Sequence, residues 1–110
     1  MAKLMNNFVF TAQVGIALDT YAFADRLGMD RAAIAQVLAH GSGASRAAAI
    51  VAGSGFVTRG LSGAAPLLRK DVGIMLDVAA ALGASDPTAL TEIAHRTLST
   101  LENGPDAAPE

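Results

Sequence analysis

The sequence predicts an all-α domain, and three observations carry the prediction. Alanine and leucine dominate, and no segment shows the strict alternation of a half-buried strand. Glycine, aspartate and proline fall between the apolar stretches, where helices stop and start. Hydrophobic residues make up 52% of the chain and charged residues only 16%, so a packed core is expected rather than disorder. The 110 residues suit one domain.

The elements follow in order. A long first helix is expected from about Lys3 to Leu27, with Gly28 as a left-handed stop. From Phe8 to Leu18 it is apolar on almost every side, which predicts packing all round. Asp30 is placed to cap a second helix, RAAIAQVLAH, which Gly41 ends. A short helix is expected within GSGASRAAAIVAGSG, with Ser42 as the candidate cap. Residues 53–65 read as the longest loop. Pro66 suits the first turn of the next helix, LLRKDVGIMLDVAAAL. That helix sets Leu68, Val72, Met75 and Val78/Ala79 on one stripe, and Gly83 closes it. Ser85-Asp86-Pro87 signals the last helix, about Pro87 to Glu102, with proline at its first position. The expected organisation is four main helices and one short one over residues 1–103, then a flexible tail over 104–110, polar and proline-rich. No internal repeat is visible.

Composition narrows the function. The net charge is -2 and no basic face is clustered, so a nucleic-acid partner is not expected. Cysteine is absent, which excludes disulfides, thiolate metal sites and cysteine nucleophiles. His40 and His95 are far apart and expected near helix ends, so no metal site is expected from them. The charge-free stretch LMNNFVFTAQVGIAL is shorter than the roughly 18 to 20 residues of a membrane span and carries two asparagines and a glutamine. It reads as a buried helix, and no secretory signal precedes it, so a cytoplasmic location is expected. A mean hydropathy of +0.40 is high for the surface of a small monomer, which predicts that another chain or domain covers part of it.

Two polar clusters are candidates for chemistry. Lys3 and Asn7 are four residues apart, so a helix sets them on one face. An amine and an amide there can meet one small oxygenated ligand, the amine moving a proton and the amide donating or accepting a hydrogen bond. Spacing alone favours a plainer reading, a solvated terminal lysine and an asparagine that caps or faces water. Arg69-Lys70-Asp71 interrupts an apolar helix. Neighbours on a helix point about 100° apart, so Lys70 and Asp71 do not pair directly. Arg69 and Lys70 can reach an anion, although a solvated face is again the plainer reading. GSGAS and GSGF are rich in glycine, but neither follows a strand, and turns or hinges suit them better than a phosphate cradle.

Taken together, AKLMNNFVF, ALDTYAFADRLGMD and LLRKDVGIMLDVAAALGASDP resemble the C-terminal helical domain of the β-hydroxyacid dehydrogenases, the family of 3-hydroxyisobutyrate dehydrogenase and tartronate semialdehyde reductase, related to 6-phosphogluconate dehydrogenase. The resemblance runs from Lys3 to about Leu101. It implies that Lys3 is the catalytic acid/base, that Asn7 binds substrate, and that Lys70 lies near the nicotinamide end of NAD or NADP. Asp71 matches the aspartate beside that lysine, with a structural role expected. HGSGAS falls loosely where the family has a loop near the substrate pocket. The family's Rossmann domain, which binds most of the cofactor, is missing from these residues, as is the substrate-binding block before the lysine.

Two functions are compatible with these residues. The chain can be the helical domain of an NAD(P)-dependent 3-hydroxyacid dehydrogenase, not competent alone and partnered by a Rossmann domain. Alternatively, it can be a non-catalytic helical homodimerisation module descended from that family. The expected partners are a small hydroxyacid substrate, with a second copy or a Rossmann domain as the protein partner.

Overall fold

A computed structural model describes residues 1–55 and 59–103, with the Arg59 side chain outside that description. The described residues form six helices and no strand. They are α1 (Ala2–Arg26), α2 (Arg31–His40), α3 (Arg46–Gly53), α4 (Arg59–Ser62), α5 (Ala65–Ala81) and α6 (Thr88–Asn103). The all-α class and the long first helix are as expected, and α4 adds a turn of helix within the expected loop. The expected tail lies outside the described residues.

α1 is the central element because it carries apolar residues on several faces. It packs on α6, α3, α5 and α2. Its first half drives Phe8 into a cluster with Leu68, Val72 and Met75 of α5 and Leu98 and Leu101 of α6. Its second half packs Val14, Ala17 and Tyr21 on Ala47, Ala48 and Val51 of α3. Phe10 and Leu61 touch both clusters and make the core continuous. Packing is not all round, however. Ile16 is 50% exposed, and Phe23 and Leu27 are exposed at 55% and 59%. These positions share a helical face, so α1 presents an apolar stripe outward.

Small side chains let the helices approach. Gly15 sits where a Cβ would overlap the Thr97 hydroxyl, so α1 and α6 meet closely only because that position is glycine. Thr97 and Thr11 are buried, and each hydroxyl donates to the carbonyl one turn back, Ile93 and Asn7, at 2.7 Å.

The helix ends follow local chemistry. Gly28 (φ 75°) and Gly83 (φ 71°) end α1 and α5 in left-handed turns. In each, the two residues after the C-cap (Leu27, Leu82) donate back to the last turn of the helix: Gly28 to Asp25 and Met29 to Ala24, Gly83 to Ala80 and Ala84 to Ala79. Asp30 caps α2 through the Ala33 amide. The cap of α3 is Ser45 rather than Ser42: its oxygen accepts from the Ala48 amide at 2.9 Å, the N3 position that only the residue just before Arg46 can reach. Pro66 lies in the first turn of α5. α6 starts one residue later than expected, since the Pro87 carbonyl accepts from the Thr91 amide and so stands at the cap. Asp86 instead accepts from the Thr91 hydroxyl. His40 ends α2 as expected, but His95 is exposed in the middle of α6, because the apolar periodicity runs on to Leu101.

Candidate functional site

The two polar clusters meet where α1 crosses α5. Phe8 anchors the start of α1 among Leu68, Val72 and Met75. That anchoring sets Asn7, one position earlier, against the edge of the α5 stripe. Asp71 occupies this stripe between Leu68 and Val72 and is only 7% exposed. The Asn7 amide nitrogen donates to the Asp71 carboxylate at 2.6 Å. Residues 64 positions apart are thereby joined by a charge-assisted bond at the rim of the core. Asn6 also donates to the Asn7 side-chain oxygen Oδ1, at a long 3.4 Å.

The two lysines flank this bond along their own helices. Lys3 lies one turn before Asn7, and Lys70 is the chain neighbour of Asp71. Both are exposed, and neither makes an ion pair among the described residues. Two cations are thus left open to a ligand. Arg69 is not open. Its guanidinium grips Glu102 of α6 through Nε at 2.5 Å and Nη2 at 2.8 Å. This hydrogen bond holds the Glu102 carboxyl below its usual value and raises Arg69. The expectation that Arg69 reaches an anion therefore gives way to a strut between α5 and α6.

HGSGAS is not part of this crossing. It joins α2 to α3, which pack on the second half of α1 around Val14, Ala17 and Tyr21. Seven to fourteen residues along a helix is about 10–21 Å from Asn7. Among the described residues no group of three or more His, Asp or Glu side chains is placed to hold a metal ion. No helix among them is long and apolar enough to cross a membrane.

The Asn7–Asp71 contact went unforeseen, since nothing local ties positions 7 and 71. One signal was available. Asp71 falls on the same stripe as Leu68, Val72 and Met75, and a carboxylate on a buried face requires a donor.

Fold and crossing together define a class: an all-α domain carrying an amide, a buried carboxylate and two open lysines, with no strand and glycine turn among the described residues to cradle a diphosphate. The comparison with protein families specifies it. A family described as "NAD-binding of NADP-dependent 3-hydroxyisobutyrate dehydrogenase" matches residues 1–108, and the chain belongs to that family. No curated protein and no solved structure gives a significant match.

Proposed function

We propose that this chain is the substrate- and cofactor-contacting helical domain of an NAD(P)-dependent dehydrogenase acting on a small 3-hydroxyacid, working with a Rossmann domain that holds most of the dinucleotide. The observation that carries the proposal is the Asn7–Asp71 hydrogen bond, which joins the K-x-x-x-N segment of α1 to the K-D segment of α5. Family membership supports the cofactor class. The residues suit one end of the cofactor: Lys70, exposed and without an ion-pair partner among the described residues, is available to the nicotinamide end. The chemistry the cofactor supplies when bound is hydride exchange at the carbon bearing the oxygen.

Lys3 handles the proton. In the oxidation direction its neutral amine takes the proton from the substrate hydroxyl and becomes an ammonium. In the reduction direction the ammonium returns that proton to the forming alkoxide. Asn7 holds a substrate oxygen by a hydrogen bond one helical turn away. A cytoplasmic setting goes with this reading.

The test is activity in trans. The chain is mixed with a Rossmann fragment from this family, NAD or NADP, and 3-hydroxyisobutyrate. Turnover above either piece alone is expected, and Lys3→Ala should lower it by about 10²–10⁴-fold, the usual worth of a positioned acid/base. Turnover unchanged by Lys3→Ala would remove the lysine from the chemistry.

A second reading, a homodimerisation module without catalysis, is favoured by the outward stripe of Ile16, Phe23 and Leu27. The two separate on the same mixture, because a module of that kind restores no turnover.

A further inference from the structure

Asp71 does more at the crossing than fill space. A carboxylate on a stripe of Leu68, Val72 and Met75 costs desolvation that an apolar residue of similar size avoids, so packing does not account for it. Its one side-chain hydrogen bond among the described residues is the 2.6 Å bond from Asn7. An ionised carboxylate only accepts hydrogen bonds, whereas an amide has a donating end and an accepting end. The nitrogen of Asn7 must therefore face Asp71. Turning the amide over would set two oxygens against each other at that spacing, with no hydrogen between them.

Asp71 accordingly decides what Asn7 has left to offer. One of the two amide hydrogens is used. The other hydrogen and the carbonyl oxygen remain, and the oxygen meets only the long contact from exposed Asn6. We infer that Asp71 is a positioning residue: its carboxylate fixes the flip of the Asn7 amide, so that the free end presents one acceptor and one donor in a set order. This inference rests on the proposed function, in which Asn7 meets the hydroxyacid. An acceptor beside a single donor suits a ligand with a hydroxyl and a second oxygen: the hydroxyl donates to the carbonyl, and the remaining N–H donates to the other oxygen. Without Asp71 the amide turns freely and half its orientations offer the wrong order.

The experiment is NMR of the side-chain amides in the ¹⁵N-labelled 110-residue chain, with Asn7 identified by the signal lost in Asn7→Ala. Exposed Asn6 is the internal reference. One Asn7 hydrogen is expected downfield, exchanging with water at least about tenfold more slowly than those of Asn6, the factor that corresponds to one net hydrogen bond. In Asp71→Leu, which offers no acceptor and suits the apolar stripe, that signature should vanish while the circular dichroism stays helical. If Asp71→Leu does not fold, the comparison of Asn7 with Asn6 in the unaltered chain decides. Asn7 hydrogens exchanging as fast as those of Asn6, or a signature that survives Asp71→Leu, overturns the inference.

A second titration uses 3-hydroxyisobutyrate as the probe. Saturable movement of the Asn7 signals is expected, with affinity about tenfold weaker in Asp71→Leu. Equal affinity in the two proteins overturns the positioning role. A slow-exchanging Asn7 that the hydroxyacid does not move supports the fixed amide and counts against the hydroxyacid reading, so the two failures are told apart.

Discussion

At the scale of single residues, the buried polar side chains among the described residues are each tied to a neighbour, and the ties can be tested singly. Tyr21 is 4% exposed, and its hydroxyl donates to the Ala48 carbonyl at 3.2 Å. Burial raises the phenol above its usual value, so the hydroxyl stays a donor across the working pH range. Tyr21→Phe keeps the ring against α3 and removes the donor. It is expected to cost about 1 kcal/mol in urea unfolding, the net worth of one such bond. Leu98 differs because it is fully buried between α1 and α5. Leu98→Ala should cost about 2–5 kcal/mol through the cavity it leaves. A smaller loss for Leu98→Ala than for Tyr21→Phe would mean that the first cluster is not the main core. Neither partner was visible in the sequence. Tyr21 meets a carbonyl 27 residues on, and Asn7 a carboxylate 64 residues on, and pattern reading reaches little beyond one helical turn. What the sequence did show was type: a lysine and an asparagine one turn apart, and a charged block inside an apolar helix.

At the scale of elements, local chemistry was legible because it is written in neighbouring residues. Gly28, Asp30, Gly41, Pro66 and Gly83 all stand where their turn or cap chemistry places them. Ser42 misled because two serines precede the short helix, and only the position of its first residue chooses between them. Packing between elements was less legible. Gly15 looks like a weak point in a helix, since glycine costs about 1 kcal/mol there relative to alanine. The fold turns it into the contact point of α1 with α6, where a methyl group would overlap the Thr97 hydroxyl. Gly15→Ala should therefore destabilise, by about 1–3 kcal/mol, despite the better helix former. Thr97→Ala removes the overlapping hydroxyl, so the double variant should regain much of the loss in a double-mutant cycle. Additive losses would show that the close approach is not what glycine serves.

At the scale of the whole molecule, the helices are held by core packing and trimmed by a few exposed ion pairs, and acid separates the two. Arg31 binds Asp25 across the α1–α2 turn, and Arg69 binds Glu102 between α5 and α6. Hydrogen bonds from the arginines hold both carboxyls below their usual values. A carboxyl with a lowered folded value contributes stability that is fully present above its unfolded value, near 4. That contribution is lost as pH falls through the folded value. The melting temperature should thus hold from neutral pH to about 4 and fall below it, modestly, because both pairs face water and salt screens them. Glu102→Gln should lower the neutral plateau modestly and flatten the acid limb by the same amount, so that the two curves converge in acid, and an unaltered limb would remove the strut from the account. The outward stripe of Ile16, Phe23 and Leu27 is a separate matter, because no carboxylate lies among its three side chains. If a second copy covers the stripe, association is hydrophobic and weakens little with salt. Phe23→Lys sets a charge in that face, beside Arg26, whose guanidinium lies 5.6 Å from the Phe23 ring. The expected outcome is a chain that shifts toward monomer in sedimentation at every salt concentration, with its melting curve at low protein concentration unchanged. A Phe23→Lys chain that associates as strongly as the parent would show that this stripe is not where copies meet.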